Sequence, residues 1–246
     1  MHYLMTAGDF EQTLKMTKLD IFSLFVSIII HDFEHPGYQN QFIVRTKHPI
    51  AGRYSDISVL EQHHLAAAFT AMLRSEQGNI MHNLPWGMYR ESRQMIIEIV
   101  LNSDISKHFS LMTMLKTKLG NDFPTEAMED RVLFLSAALR TADSFKVVRD
   151  GRTVFFKWMD NMFDEFFKQG DMERAIELPI SKFMDRDQQQ NKEKAYLNYI
   201  QVVCRPLLST FMILGQDEEM TQAIIKDGVD KNKKALEQRI DENSGK

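Results

Sequence analysis

The chain has 246 residues, of which 43% are hydrophobic and 26% charged, a composition that suits one large or two small globular domains. Its net charge of -4 argues against a dedicated nucleic-acid binder, which would carry a basic surface. The single cysteine, Cys204, excludes a disulfide framework and favours a reducing, cytoplasmic compartment. Residues 1–10 lack a secretory-signal pattern, and the apolar run at residues 21–30 is too short to span a bilayer.

The composition favours helices throughout. There are only 11 glycines and 6 prolines but 16 methionines and 17 phenylalanines, so an all-α fold with helices packed on helices is expected. The first predicted helix should end in a buried turn, and the second should begin with a capping box of Ser58 and Glu61. The seventh should be interrupted near Pro206, and the last should be a solvated terminal helix. In chain order, the predicted helices cover residues 17–30, 58–74, 88–101, 106–119, 126–140, 151–167, 192–214 and 218–239.

Histidines are confined to the first part of the chain, between His2 and His108, and four of them form two tight clusters. In the first cluster, His31 and Asp32 follow an apolar helix end, and His35 comes shortly after. An imidazole beside a carboxylate at the edge of a core needs a cation, and these donors suit zinc. The carboxylate also suits magnesium or manganese. The alternative is a surface His-Asp pair without a metal.

The second cluster places Glu61 and His64 three residues apart, on one face of the predicted helix. Such a pair orients a water molecule beside a metal, or forms an ordinary salt bridge on the helix surface. Asp143 follows the apolar helix that ends near Leu139. It is either the distant carboxylate that a metal site requires or an ordinary helix-end aspartate.

These residues lie within a longer series of motifs. The series comprises HDFEHPG at residues 31–37 with Asn40, YSDISVLEQHH at 54–64, LNSDISKHF at 101–109, Ala-Asp at 142–143, and the segments at 158–171 and 183–187. In this order and spacing, from His2 to about Leu214, the motifs resemble the catalytic domain of class I cyclic nucleotide phosphodiesterases. The resemblance implies a compact multi-helix bundle of the HD-domain-like type. A partial catalytic domain would occupy residues 1–215, and a polar C-terminal helix or tail would occupy residues 216–246.

The same resemblance implies the hydrolysis of 3′,5′-cyclic nucleotides, cAMP or cGMP, to 5′-monophosphates in signal transduction, with Zn²⁺ and Mg²⁺ or Mn²⁺ as cofactors. Two metals would activate the attacking water between them and neutralise charge on the phosphorus. The residues matched to metal ligands are His31, Asp32 and Asp143. The residues matched to holders of metal-bound water are His35, Glu61, His64 and Ser103, the last being threonine in most of the family. The expected partner is the cyclic nucleotide, without nucleic acid or a membrane span, and a homodimer is left open.

The sequence departs from the family where the metal site should open. The His-Asn-x-x-His motif, which supplies the family's general acid and a further zinc ligand, is absent, and His2 matches a later position. No residue of the chain therefore matches the catalytic acid. We expect a chain that is truncated at its N-terminus, binds metal weakly and is impaired in hydrolysis.

The base pocket also departs from the family pattern. Tyr196 stands where the family has its purine-binding glutamine, and a hydroxyl lacks the separate donor and acceptor arms of an amide. Tyr199 matches the aromatic residue that stacks on the base. Met162 and Phe166 match the apolar wall of the pocket or are ordinary core residues. Lys146 replaces the usual asparagine or histidine.

Two other functions are compatible with these departures. Tyr196 and Lys146 favour a non-catalytic relative that binds metal or nucleotide as an interaction module. A different His-Asp metal phosphohydrolase is the third alternative, and the motifs at residues 54–64 and 101–109 argue against it because they resemble the cyclic nucleotide branch in particular.

Overall fold

A computed structural model of the chain describes residues 1, 4–5, 10–120, 127–148, 152–215 and 217–244. Within these ranges the regular secondary structure is entirely helical, which confirms the all-α prediction. The chain divides into two compact units, residues 1–142 and residues 143–246. The predicted positions 2, 126 and 151 lie outside the described residues.

The helices of unit 1 follow the predicted order. They are α1 (Phe10–Thr13), α2 (Lys18–Ile30), α3 (Asn40–Arg45), α4 (Pro49–Arg53), α5 (Val59–Leu73), α6 (Trp86–Leu101), α7 (His108–Leu119) and α8 (Met128–Ser144). A 3₁₀ turn, Ile105–Lys107, precedes α7, and the last two residues of α8 belong to unit 2. Helices α1, α3 and α4 have only 4 to 6 residues, too few to show a helical period in the sequence.

Helix α2 is the central element of unit 1. It begins with a capping box, in which the Asp20 amide donates to Thr17 Oγ1 at 3.1 Å and the Thr17 amide donates to Asp20 Oδ2 at 2.8 Å. The buried Asp20 carboxylate also accepts from Arg131 Nε at 2.9 Å, so its charge is compensated. The predicted burial of the last turn is only partly correct, because Ile30 is 6% exposed but Ile29 is 76% exposed.

The core of unit 1 forms where α2 packs against α5 and α6. Each large apolar side chain removed from water here contributes about 1.5–3 kcal/mol. The buried side chains of this cluster are Val26, Ile30, Leu65, Ala68, Phe69, Met81, Ile96 and Val100. A second cluster holds α3 and α4 against the start of α5, and its members are Phe42, Ile43, Ala51, Val59 and Leu60.

The predicted capping box at the start of α5 is wrong. Ser58 has a left-handed backbone with φ of 43°, and its hydroxyl donates to Asp104 Oδ2 at 2.8 Å instead of capping the helix. The N-terminus of α5 is capped from outside, because the Leu60 amide donates to Asn40 Oδ1 at 2.8 Å.

Unit 2 contains the remaining helices. They are α9 (Arg152–Ala175), α10 (Lys192–Tyr199), α11 (Arg205–Gly215), α12 (Glu218–Ile224) and α13 (Lys231–Ser244). Short 3₁₀ segments lie at Phe145–Val147 and Arg186–Asn191, and π-helical turns lie at Ile200–Cys204 and Ile225–Asp230. The first π turn provides the predicted interruption next to Pro206, whereas α9 extends beyond its predicted end at residue 167.

The continuous helical segment Lys192–Leu214 is long and apolar enough to cross a bilayer, with a mean hydropathy of 1.3. The sequence predicted this helix over residues 192–214 but predicted no membrane span. In unit 2 this segment is a core helix, because Tyr196, Ile200 and Leu207 are at most 1% exposed. Arg205, in the middle of this segment, is paired within the unit, with its Nε 2.8 Å from Asp230 Oδ1.

The polar C-terminal segment is helical but is not fully solvated. Val229 and Leu236 have no exposed surface, and Asn232 Nδ2 donates to the Val147 carbonyl at 3.0 Å. The predicted solvated helix therefore has one face packed into unit 2, since α13 lies against α10.

Candidate functional site

His31 and Asp32 adjoin each other at the end of α2. His31 Nδ1 lies 2.9 Å from the Ile28 carbonyl oxygen, which can only accept, so Nδ1 carries the proton and Nε2 the lone pair of the neutral ring. The buried Nε2 lies 3.3 Å from Asp32 Oδ2, but it has no hydrogen-bond partner among the described residues. A lone pair facing a carboxylate is repulsive unless a proton or a metal ion lies between them. This pair is therefore a candidate cation site.

Helix α5 brings the second histidine cluster onto the turn that follows α2. His64 Nδ1 donates to the Phe33 carbonyl at 2.7 Å, and the rings of His64 and His35 stack with centroids 5.5 Å apart. Burial lowers the pKa of His64 to about 4, so this ring is neutral at pH 7 and its Nε2 is an acceptor.

His35 has the opposite tautomer. The Gly37 amide donates to His35 Nδ1 at 3.0 Å, so the proton of the neutral His35 ring is on Nε2. Gly37 has φ of 79° and Glu34 has φ of 61°, so the turn uses the left-handed region twice. His63 Nε2 lies 3.2 Å from Glu34 Oε2, which ties this turn to α5. The stacked His35 and His64 rings thus present one donor and one acceptor.

Glu61 is held by the residue that caps its helix. Asn40 Nδ2 donates to Glu61 Oε2 at 2.9 Å while Asn40 Oδ1 accepts from the Leu60 amide. Burial raises the pKa of Glu61, and the hydrogen bond from Asn40 opposes that shift. One carboxylate oxygen is thereby fixed in position. Asn40 was part of the sequence motif, but its dual role was not predicted.

Ser103 lies in the turn after α6, where its hydroxyl donates to the Val100 carbonyl at 2.7 Å. The same turn is held by Arg140, whose Nε and Nη2 donate to the Asn102 carbonyl at 3.0 and 2.8 Å. Arg140 Nη2 also donates to the Asp104 carbonyl. The positive charge stabilises the C-terminal end of α6, where unpaired carbonyls carry partial negative charge. The bond to Val100 uses the Ser103 proton and leaves the oxygen an acceptor.

Asp143 belongs to unit 2, where it lies near the end of α8. Both of its carboxylate oxygens contact Lys146, with Nζ at 3.3 Å from Oδ1 and 3.4 Å from Oδ2. The Asp143 side chain is 45% exposed, and that of Lys146 is 28% exposed. The predicted ligand is thus engaged by a cation from its own chain.

The predicted base-contacting tyrosines pack in the core of unit 2. Tyr196 is 1% exposed, and its ring stacks on Tyr199 with centroids 6.1 Å apart. Burial raises the pKa of both hydroxyls, and it raises the pKa of the Cys204 thiol, which is hydrogen-bonded to Tyr199, to about 11. A base would reach Tyr196 only if neighbouring side chains moved. Its contact with a base stays a prediction.

A cleft of about 600 Å³ lies beside these residues in unit 2. Met162 and Phe166 are partly exposed on α9, but the cleft is lined by their neighbours on that helix, Phe163 and Phe167. Its other lining residues are Ile180, Ser181, Lys182, Phe183, Asp185, Gln188, Lys192, Lys194, Ala195 and Asn198. A Cβ at Gly170 would lie 1.8 Å from the Met184 carbonyl oxygen, so glycine there lets this segment approach α9 closely.

The donor chemistry fits a divalent metal in part. Within the described ranges, no three His, Cys, Asp or Glu side chains lie close enough together to hold one ion. The unpartnered His31 nitrogen beside the Asp32 carboxylate is nevertheless a donor pair that suits zinc, and the carboxylate suits magnesium. His31 and Asp32 supply two protein donors, fewer than a zinc site uses.

Comparisons with known proteins show which family the chain belongs to. The sequence model of the 3′,5′-cyclic nucleotide phosphodiesterase family matches residues 1–224. The mouse dual specificity calcium/calmodulin-dependent 3′,5′-cyclic nucleotide phosphodiesterase 1C is 34% identical over 242 residues, covering 94% of this chain and 33% of the relative. The mouse high affinity cGMP-specific 3′,5′-cyclic phosphodiesterase 9A is 35% identical over 197 residues, covering 80% of this chain and 36% of the relative.

A solved structure has the same fold. The phosphodiesterase domain of the RhoPDE fusion protein from the choanoflagellate Salpingoeca rosetta matches with a TM-score of 0.82 and 24% identity, covering 91% of this chain and 71% of that chain. The fold is therefore that of a phosphodiesterase catalytic domain. With the sequence matches, the chain belongs to the 3′,5′-cyclic nucleotide phosphodiesterase family, which confirms the resemblance seen in its motifs. It spans about a third of the length of these curated relatives.

Proposed function

We propose that this chain binds divalent metal and hydrolyses 3′,5′-cyclic nucleotides to 5′-monophosphates, slowly when it acts alone. The observation that carries the proposal is the buried, unpartnered Nε2 of His31 facing the Asp32 carboxylate. Family membership supports the reaction class. In the reaction, a water oxygen bonds to phosphorus, the bond from phosphorus to the 3′ oxygen breaks, and the 3′ oxygen takes up a proton.

His31, Asp32 and Asp143 are the proposed metal ligands. When bound, zinc and magnesium or manganese would supply Lewis-acid chemistry to the phosphate and lower the pKa of coordinated water. His31 suits this role because its Nδ1 proton is used by the Ile28 carbonyl, which leaves Nε2 free to coordinate. Asp32 contributes negative charge on an exposed carboxylate, 64% accessible.

The surrounding side chains would orient water at the site. Neutral His64 can accept a hydrogen bond at Nε2, and His35 can donate one from its own Nε2, so a water between them would have its orientation fixed. Glu61 has a second carboxylate oxygen free to accept from water, because Asn40 holds the first. Ser103 offers only acceptor lone pairs, since its proton is donated to Val100.

Weak activity follows from the missing motif. None of the 8 histidines begins a His-Asn-x-x-His sequence, so no residue matches the family's general acid. Proton donation to a leaving oxygen typically contributes about 10²–10⁴-fold to the rate. The base site adds a second deficit, because Tyr196 is buried where the family has its glutamine.

The test is turnover of cAMP and cGMP with added zinc and magnesium. Both nucleotides are needed because the names of the relatives include dual-specificity and cGMP-specific enzymes. We expect little product from this chain alone and a large gain when a segment carrying His-Asn-x-x-His is joined before Met1. Brisk turnover by the chain alone would contradict the proposed impairment. No turnover by the extended chain would contradict catalysis.

A second candidate is a metal- or nucleotide-binding module without catalysis. The ion pair between Asp143 and Lys146 and the burial of Tyr196 favour it. This function predicts cyclic nucleotide binding, measured by equilibrium dialysis, in an extended chain that still shows no turnover.

A further inference from the structure

Lys146 forms an ion pair with Asp143, the carboxylate that the proposed function assigns to a metal. Its ammonium contacts both carboxylate oxygens of Asp143, at 3.3 and 3.4 Å, so each oxygen already has a cation beside it. Residues 143 and 146 are three apart across the end of α8 and the 3₁₀ turn Phe145–Val147, a spacing that places them on one face.

The backbone holds Lys146 in this position. Val147, the next residue, has no exposed surface, and its carbonyl accepts from Asn232 Nδ2 at 3.0 Å. The Lys146 side chain is itself only 28% exposed. The Asp143 carboxylate is 45% exposed, so the pair is open to water on that side and weakens as the salt concentration rises.

We propose that Lys146 is a tethered cation that competes with divalent metal for Asp143 and so raises the metal concentration at which the site fills. This inference rests on the proposed function, because it takes Asp143 as a metal ligand. A divalent ion that binds Asp143 must either displace the ammonium or lie close to a like charge, and both cost free energy. A somewhat higher metal concentration would thus be needed to fill the site.

The experiment measures zinc affinity of the full 246-residue chain by competition with a chromophoric chelator. In Lys146→Asn, zinc binding should tighten by about 2- to 5-fold, the range expected when one partly exposed ion pair to a ligand is removed. Lys146→Arg keeps the charge and should bind as the wild type does. Lys192→Asn removes a similar ion pair, to Asp160 at 2.8 Å, and should change nothing.

The outcomes separate this inference from the function beneath it. Equal zinc affinity in the wild type and Lys146→Asn would overturn the inference and leave the metal site standing. No zinc binding by either protein, or unchanged binding in Asp143→Asn, would overturn both. A gain of the same size in Lys146→Arg or Lys192→Asn would also overturn the inference. Lys146→Gln is a second neutral variant, and a thermal melt of each protein without metal identifies any variant that fails to fold.

Discussion

The side-chain amide of Asn40 holds both the start of α5 and the Glu61 carboxylate, so its loss should destabilise the fold. Its oxygen caps the Leu60 amide at 2.8 Å, and its nitrogen donates to the Glu61 carboxylate at 2.9 Å. Loss of a capping bond typically costs about 1 kcal/mol, and loss of a hydrogen bond to a charged group about 1.5–3 kcal/mol. Because these terms are not fully additive, we expect Asn40→Ala to lower the free energy of unfolding by about 2–3 kcal/mol.

A charge-changing variant separates the two contacts. Asn40→Asp keeps the acceptor for Leu60 but places a carboxylate against Glu61, whose pKa burial already raises. The variant should therefore lower the free energy of unfolding by about 3 kcal/mol in the wild-type background. In the Glu61→Gln background the loss should be smaller by about 1 kcal/mol or more, since an amide can donate to the new carboxylate.

Urea denaturation at pH 7, extrapolated linearly to water, measures both effects. Asn83→Ala is the matched control, because Asn83 is an exposed residue of a turn in the same unit. Equal stability of Asn40→Ala and Asn83→Ala would show that Asn40 does not hold α5. An equal loss of stability for Asn40→Asp in the wild-type and Glu61→Gln backgrounds would show that Asn40 does not hold Glu61.

Three further variants test interactions that stabilise the two units. Burial, together with the charge of Arg140, lowers the pKa of His108 from 6.5 to about 4, so the unfolded chain binds this proton first. As the pH falls from 6.5 to 4.5, protonation of this group should lower the free energy of unfolding of the wild type by about 2–3 kcal/mol. Urea melts should show a smaller loss in His108→Gln. Arg140→Met strands the Asn102 carbonyl and should cost about 3 kcal/mol in the same assay at pH 7, where a cost under about 0.5 kcal/mol would contradict the bonds. Gly170→Ala drives a methyl group into the Met184 carbonyl and should lower the melting temperature by several degrees, at about 2–4 °C per kcal/mol; an unchanged melt would contradict the close approach.

The sequence predicted the long helices because their periodic apolar positions and helix ends are local signals. It failed at Ser58, where the same S/T-x-x-acid pattern that caps α2 at Thr17 does not cap α5. The reason is a long-range competitor: the Ser58 hydroxyl donates to Asp104, which is 46 residues away. No local pattern contains that contact, nor the cap that Asn40 supplies instead.

In the candidate site, too, local patterns were predictable from the sequence and long-range contacts were not. The motifs identified His31, Asp32, His35 and His64 as a group, and the structure connects the turn after α2 to α5 through hydrogen bonds and stacked rings. The tautomers of these rings depend on backbone partners that only the fold supplies. The ion pair of Lys146 with residue 143, in contrast, has a local spacing and was open to prediction from the sequence.

Metal binding at His31 is tested most directly by zinc titration of the wild type, His31→Ala and His63→Ala. His63 is the control because it lies in the adjoining cluster but pairs with Glu34. We predict that His31→Ala weakens zinc binding by about tenfold or more, whereas His63→Ala stays within about twofold of the wild type. Equal affinity in all three proteins, or no zinc binding by the wild type, would contradict the account.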